Sequence, residues 1–88
     1  MKELEKQLKA LANRRRLAIL KFLKDHKEKE APVGDIAKAI KLSFRSTSKH
    51  LGVLAALDIV ERNQRSSQMF YRLCSVQHLA VKHTITLL

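Results

Sequence analysis

Cysteine, glycine, proline and aromatic residues are all scarce in this chain, and each shortage rules something out. Cys74 is the only cysteine. A disulfide within the chain is impossible, a four-cysteine zinc site is excluded, and a reducing, cytoplasmic setting is expected. The only glycines are Gly34 and Gly52, so there is no glycine-rich phosphate loop. The single proline, Pro32, closes a polar stretch from Lys27 that reads as a loop. With no Trp, one Tyr and three Phe, the core falls to Leu, Ile, Val and Ala. No apolar run approaches the ~18 residues of a membrane span, and Met1 to Lys6 lacks the apolar centre of a signal peptide. No paired carboxylates and no nucleophile–base arrangement stand out, so neither an enzyme nor a cofactor is expected.

Acidic residues are the last shortage. Eight Asp and Glu stand against 18 Lys and Arg, a net charge of +10 on 88 residues. Such an excess implies an anionic partner, nucleic acid first and an anionic membrane surface second. Lysines kept for solubility are the plainer alternative. The length fits one domain, residues 1–88, with a small core, and the 45% apolar content is enough for folding.

Helical spacing of Leu4, Leu8 and Leu11 predicts a thin amphipathic helix over Lys2 to Leu11. Asn13 is placed to cap a second helix, Arg14 to about His26, with a broad apolar face of Leu17, Ile19, Leu20, Phe22 and Leu23. Ile36, Ala37 and Ile40 share one face of a third helix, Val33 to Ile40. Lys41 to Ser43 form a turn, and Ser43 can cap a fourth helix running from Phe44 to about Leu57. Two strand-like runs follow, Ile59 to Gln64 and Gln68 to Leu73, with Arg65 to Ser67 as the hairpin tip. Ser75 is expected to cap a last helix, Val76 to about Leu87.

The order is α-α-α-α-β-β-α, a mainly α (α+β) chain. Three central helices and a hairpin make a winged helix-turn-helix. The first and last helices remain as dimer-forming elements through Leu4, Leu8, Leu11, Val76, Leu79 and Ala80, apolar stripes that a lone domain this small covers poorly.

Stepping ~100° per residue along the fourth helix puts Phe44, Thr47, Leu51, Leu54 and Ala55 on one face. Arg45, Lys49, Gly52 and Ala56 fall opposite, with Ser48 beside them. Arg45 can make two parallel hydrogen bonds to guanine O6 and N7, and Lys49 can do so less rigidly. Ser46 and Ser48 can reach phosphate or a base edge. His50 flanks the core face, as a core or phosphate-contacting residue. Ser43 can cap the helix and bind phosphate at once. On the hairpin, Arg62, Gln64 and Arg65 are placed for a sugar–phosphate backbone or a minor groove. An ordinary amphipathic helix and a solvated turn are the bland alternatives.

Residues Ala10 to Leu20 resemble the opening of ArsR-type winged-helix regulators, A-L-A-D-P-T-R-L-x-I-L, with Arg16, Leu17, Ile19 and Leu20 matching. Leu42 and Ser43, then Thr47 to Leu51 and Val53-Leu54, resemble that family's L-S-x-x-x-V-S-R-H-L-x-V-L segment. Asp58 to Arg62 and Phe70 to Leu73 are similar to the two strands of its wing. The match covers about residues 8 to 74. It implies a homodimeric transcriptional repressor on palindromic operators, with dimer contacts from the first and last helices.

Departures sharpen the expectation. Metal-sensing members carry C-V-C-D where this chain has Pro32, Val33, Gly34 and Asp35. His78 and His83 stand ~140° apart around a helix and read as surface residues rather than ligands. Cys74 reads as a packed small residue. A turn glycine is replaced by Lys41, which implies a left-handed residue at ~1 kcal/mol. A position that is usually polar holds Phe44, which can meet a thymine methyl or simply pack. The reading is a sequence-specific regulator of double-stranded DNA without a metal sensor. A winged helix serving protein–protein assembly, its charge incidental, is the alternative.

Overall fold

A computed structural model describes residues 1–88. Five helices and three strands run α1 (Lys2–Leu11), α2 (Arg14–Asp25), β1 (Glu30–Pro32), α3 (Val33–Ile40), α4 (Phe44–Ala56), β2 (Val60–Arg65), β3 (Gln68–Leu73) and α5 (Leu79–Leu87). The winged helix-turn-helix expected from the sequence is the fold observed. Caps explain two of the helix starts. Asn13 Oδ1 accepts from the N–H groups of Arg15 and Arg16 at 3.0 Å each, and Ser43 Oγ accepts from Ser46 N–H at 3.1 Å. Each such cap contributes about 1 kcal/mol.

The core is filled by Ile19, Leu20 and Leu23 of α2, Ile36 of α3, Leu51 and Leu54 of α4, Val60 and Tyr71 of the sheet, and Val81 and Ile85 of α5. Full burial of each large aliphatic chain among them is worth roughly 1.5–3 kcal/mol. That payment fixes α2, α3 and α4 against one side of the sheet, and α1 lies against α5.

Three expectations are corrected. The Lys27–Pro32 loop contains β1, which pairs antiparallel with β3 (Glu30 with Arg72, Pro32 with Phe70) and makes a three-stranded sheet of order β1-β3-β2. The element order is therefore α-α-β-α-α-β-β-α. Pro32 is tolerated because β1 is an edge strand, where its missing N–H is not needed. Secondly, α5 begins at Leu79 and not Val76. Its cap is His78, whose Nδ1 accepts from Ala80 N–H at 3.0 Å, so Ser75 does not cap it and His78 is not an idle surface side chain. Thirdly, Leu11 is only 5% exposed and belongs to the core, which removes it from the outward stripe of α1.

Candidate nucleic-acid interface

The turn between α3 and α4 sets the aim of α4. Lys41 adopts the left-handed conformation, φ 57° and ψ 48°, as its place in the turn implies. Its N–H bonds to Lys38 O at 3.3 Å and Leu42 N–H to Ala37 O at 3.0 Å, so the last carbonyls of α3 are satisfied while the chain reverses. Ser43 then starts α4 at a new angle.

On α4 the side chains of Thr47, Leu51 and Leu54 are buried, one every three or four residues. Arg45, Lys49, Gly52 and Ala56 are exposed on the far side, and Ser46 and Ser48 are half-buried at its margins. The helix contains no carboxylate. Neither Arg45 nor Lys49 has an acidic group within ion-pair distance, nor has Arg62 on β2. A Cβ added at Gly52 would meet no atom of the chain within 4 Å, so the missing side chain serves no packing inside the protein. Phe44 departs from the core face on which the wheel places it. It is 62% exposed, because the first turn of α4 extends past the end of the packed core.

His50 is half-buried and tied down. Arg16 Nη1 lies 3.2 Å from His50 Nδ1, while Arg16 Nε donates to Ala10 O at 2.6 Å and Nη2 to Lys9 O at 3.3 Å. A guanidinium only donates, so Nδ1 accepts and the neutral ring carries its proton on Nε2. Burial, and next the charges of Arg16, Arg15 and Lys49, hold His50 below the ordinary histidine value. Arg16 matches the family pattern, yet nothing local marks it as a brace to a residue 34 positions away.

The β2–β3 hairpin forms the wing. Arg62 pairs in register with Tyr71 and Gln64 with Met69, so both lie on the sheet face that carries the core. Arg65, placed by the sequence at the wing tip beside a nucleic-acid backbone, has partners within the chain. Its guanidinium stacks 4.0 Å from the Phe70 ring centroid and ion-pairs with Glu30 of β1. Arg72 Nε is paired likewise with Glu61 at 2.6 Å. Glu30 is invisible to sequence reading for the same reason β1 is. Arg62 is thus the unpaired arginine of the wing.

No group of three His, Cys, Asp or Glu side chains comes together to hold a metal ion. Cys74 is half-buried, and burial pushes its thiol up from the usual value. No helix is long and apolar enough to cross a membrane. Outside the basic face, the exposed apolar residues include Leu4 (37%) and Leu8 (49%) on α1, Val76 just before α5 and Leu79 at its start, with Ala80 half-buried beside Leu79.

A helix-turn-helix with a basic outer face and a β-hairpin beside it define a winged helix-turn-helix protein. Over 81 residues the chain is 38% identical to the transcriptional activator HlyU of Vibrio cholerae serotype O1, covering 92% of this chain and 69% of that protein. The structure of reduced HlyU from Vibrio cholerae N16961 superimposes with a TM-score of 0.78 at 33% identity, over 97% of this chain and 83% of that one. The transcriptional repressor BigR of Xylella fastidiosa does so with 0.79 at 31% identity, over 98% and 80%. Mb0332 of Mycobacterium bovis, a homodimeric winged helix-turn-helix DNA-binding domain and a possible ArsR-family regulator, gives 0.79 at 29% identity, over 98% and 74%. No protein-family model matches the chain. The chain belongs to the ArsR-type winged helix-turn-helix transcriptional regulators.

Proposed function

We propose that the protein binds double-stranded DNA sequence-specifically as a homodimer and regulates transcription from a palindromic operator in the cytoplasm. The observation that carries this reading is the outer face of α4. There Arg45 and Lys49 stand exposed and unpaired, with no acidic residue on the helix and Arg62 unpaired on the wing. A cationic surface with no internal counter-charge suits phosphates and the acceptor edges of guanine.

In this reading residues 1–88 form one DNA-binding domain, with α1 and α5 as its dimer elements. Arg45 reads a base edge, Lys49 and Ser48 a base edge or phosphate, and Ser43, Ser46 and Arg62 the backbone, with Gln64 near them. His50 is assigned to holding α4 in place, with Nε2 left as its donor. Leu4, Leu8, Val76, Leu79 and Ala80 meet a second copy. Two half-sites then lie about one helical turn apart. The chemistry needs no cofactor and no catalysis. Occupancy of an operator that overlaps a promoter represses it. HlyU is an activator and BigR a repressor, and the position of the operator decides between these outcomes.

Selection of bound duplexes from a random pool tests the proposal. The expected result is a palindromic consensus, affinity that falls steeply with salt, and loss of site preference in Arg45→Ala. Absence of duplex binding at about 50 mM salt would overturn it. A stable protein complex indifferent to Arg45 and Lys49 would favour the assembly role instead.

A further inference from the structure

We propose that Phe44 is a specificity-determining residue, and that it recognises the C5-methyl group of a thymine in the major groove. The inference rests on the DNA-binding reading above and adds a base to it.

Phe44 is the first residue of α4 and is 62% exposed, while Thr47, Leu51 and Leu54 of the same helix are completely buried. The ring is not needed by the core. It also has no aromatic or cationic partner. The stacked pair of the chain is Phe22 with His26, and the cation over a ring is Arg65 over Phe70. Towards the wing, Phe44 borders an open groove with Gly34, Asp35, Ser67, Gln68 and Met69, and most of its surface stays exposed.

The first turn of a recognition helix is the part that meets base edges. Phe44 immediately precedes Arg45, whose exposed guanidinium suits guanine O6 and N7. Phosphates and most base-edge groups are polar, and a phenyl ring gains little from them. Thymine's methyl is the apolar group on a base edge in the major groove. A ring left in water by the fold and set beside a guanine-reading arginine matches that group in chemistry and in place.

The test uses the full chain and the duplex it selects. Each thymine is replaced in turn by deoxyuridine, which removes only the methyl, and affinity is measured by fluorescence anisotropy. Wild type should lose about fourfold at one thymine of each half-site, the worth of burying one methyl-sized group. Phe44→Ser should bind thymine and deoxyuridine duplexes equally, and Phe44→Leu should keep the preference. The exposed position makes both variants compatible with folding.

Equal wild-type affinity for thymine and deoxyuridine at every position would overturn the proposal. So would an unchanged ratio in Phe44→Ser. Failure to select any duplex would instead sink the DNA-binding reading itself, and this inference with it.

Discussion

Arg16 Nη1 sits 3.2 Å from His50 Nδ1 and joins the end of α1 to the middle of α4. The same guanidinium holds two carbonyls at the C-terminus of α1. The helix proposed for dimer contact and the helix proposed for base reading are therefore fixed to one side chain.

That contact exists only while Nδ1 is unprotonated, which sets a pH dependence. Burial, then Arg16, Arg15 and Lys49, keep the folded His50 below the ordinary value of 6.5. The unfolded chain takes up a proton first as pH falls, so this group's contribution to stability is intact above the ordinary value and lost as pH drops towards the folded one. Urea midpoints should fall between about pH 7.5 and 5.5, and fall less in His50→Gln. An identical pH response in that variant would remove His50 from the account.

On the wing, two arginines separate by their partners. Arg62 has no carboxylate, whereas Arg65 is held by Glu30 and Phe70. Arg62→Ala should lower the slope of log affinity against log salt by about one. Arg65→Ala should leave the slope in place and destabilise the fold by about 1 kcal/mol, the sum of a half-exposed ion pair and a cation–π contact. Gel-shift titrations over salt and urea unfolding measure both. Reversed outcomes would mean that Glu30 gives up Arg65 to DNA.

Gly52 separates stability from binding. It lies mid-helix on the outer face, where a Cβ meets nothing of the chain. Gly52→Ala should raise unfolding free energy by about 1 kcal/mol through helix propensity alone. It should weaken operator binding, since the new methyl projects from the DNA-facing surface about one turn beyond Lys49. Unchanged affinity would show that the groove floor stays clear of this position.

Much of this was legible in the sequence because the signals were local. Asn13 and Ser43 mark helix starts by chemistry, and Thr47, Leu51 and Leu54 mark a buried face by period. Lys41 falls where the family pattern has a turn glycine, and that resemblance implies its left-handed conformation. What escaped depends on distance or on helix ends. β1 has three residues including Pro32 and exists only because β3 lies beside it. Val76 and Leu79 fit a helical period equally well from either start, so the period does not mark His78 as the cap. A helical wheel places Phe44 inward because it ignores that α4 outruns the core. The Arg65–Glu30 and Arg16–His50 contacts span 35 and 34 positions and leave no local trace.

The dimer proposal has a surface test. Leu4 and Leu8 are one helical turn apart on α1 and both are partly exposed, bordering an apolar groove with Met1 and Ala12. Leu8→Lys places a charge in that groove without touching the core. Light scattering at micromolar concentration should report twice the monomer mass for wild type and a monomer for Leu8→Lys. Operator affinity should fall with it, because each subunit then binds one half-site alone. A monomeric wild type would remove the dimer from the reading.

Thr47 offers the opposite kind of test, a gain. Its side chain is fully buried between α4 and the core, and Oγ1 has no hydrogen-bond partner. An orphaned buried hydroxyl costs about 1–3 kcal/mol in lost hydration. The family pattern has valine at this position, which keeps the branched shape and removes the polar atom. Thr47→Val should therefore stabilise the fold by about 1 kcal/mol and raise the thermal midpoint by roughly 4–8 °C for a domain of this size. Operator affinity should not change, since the residue faces away from Arg45 and Lys49. An unchanged or lower midpoint would mean that the hydroxyl already has a partner in solution, a buried water between α4 and its neighbours, and that the orphan is satisfied there.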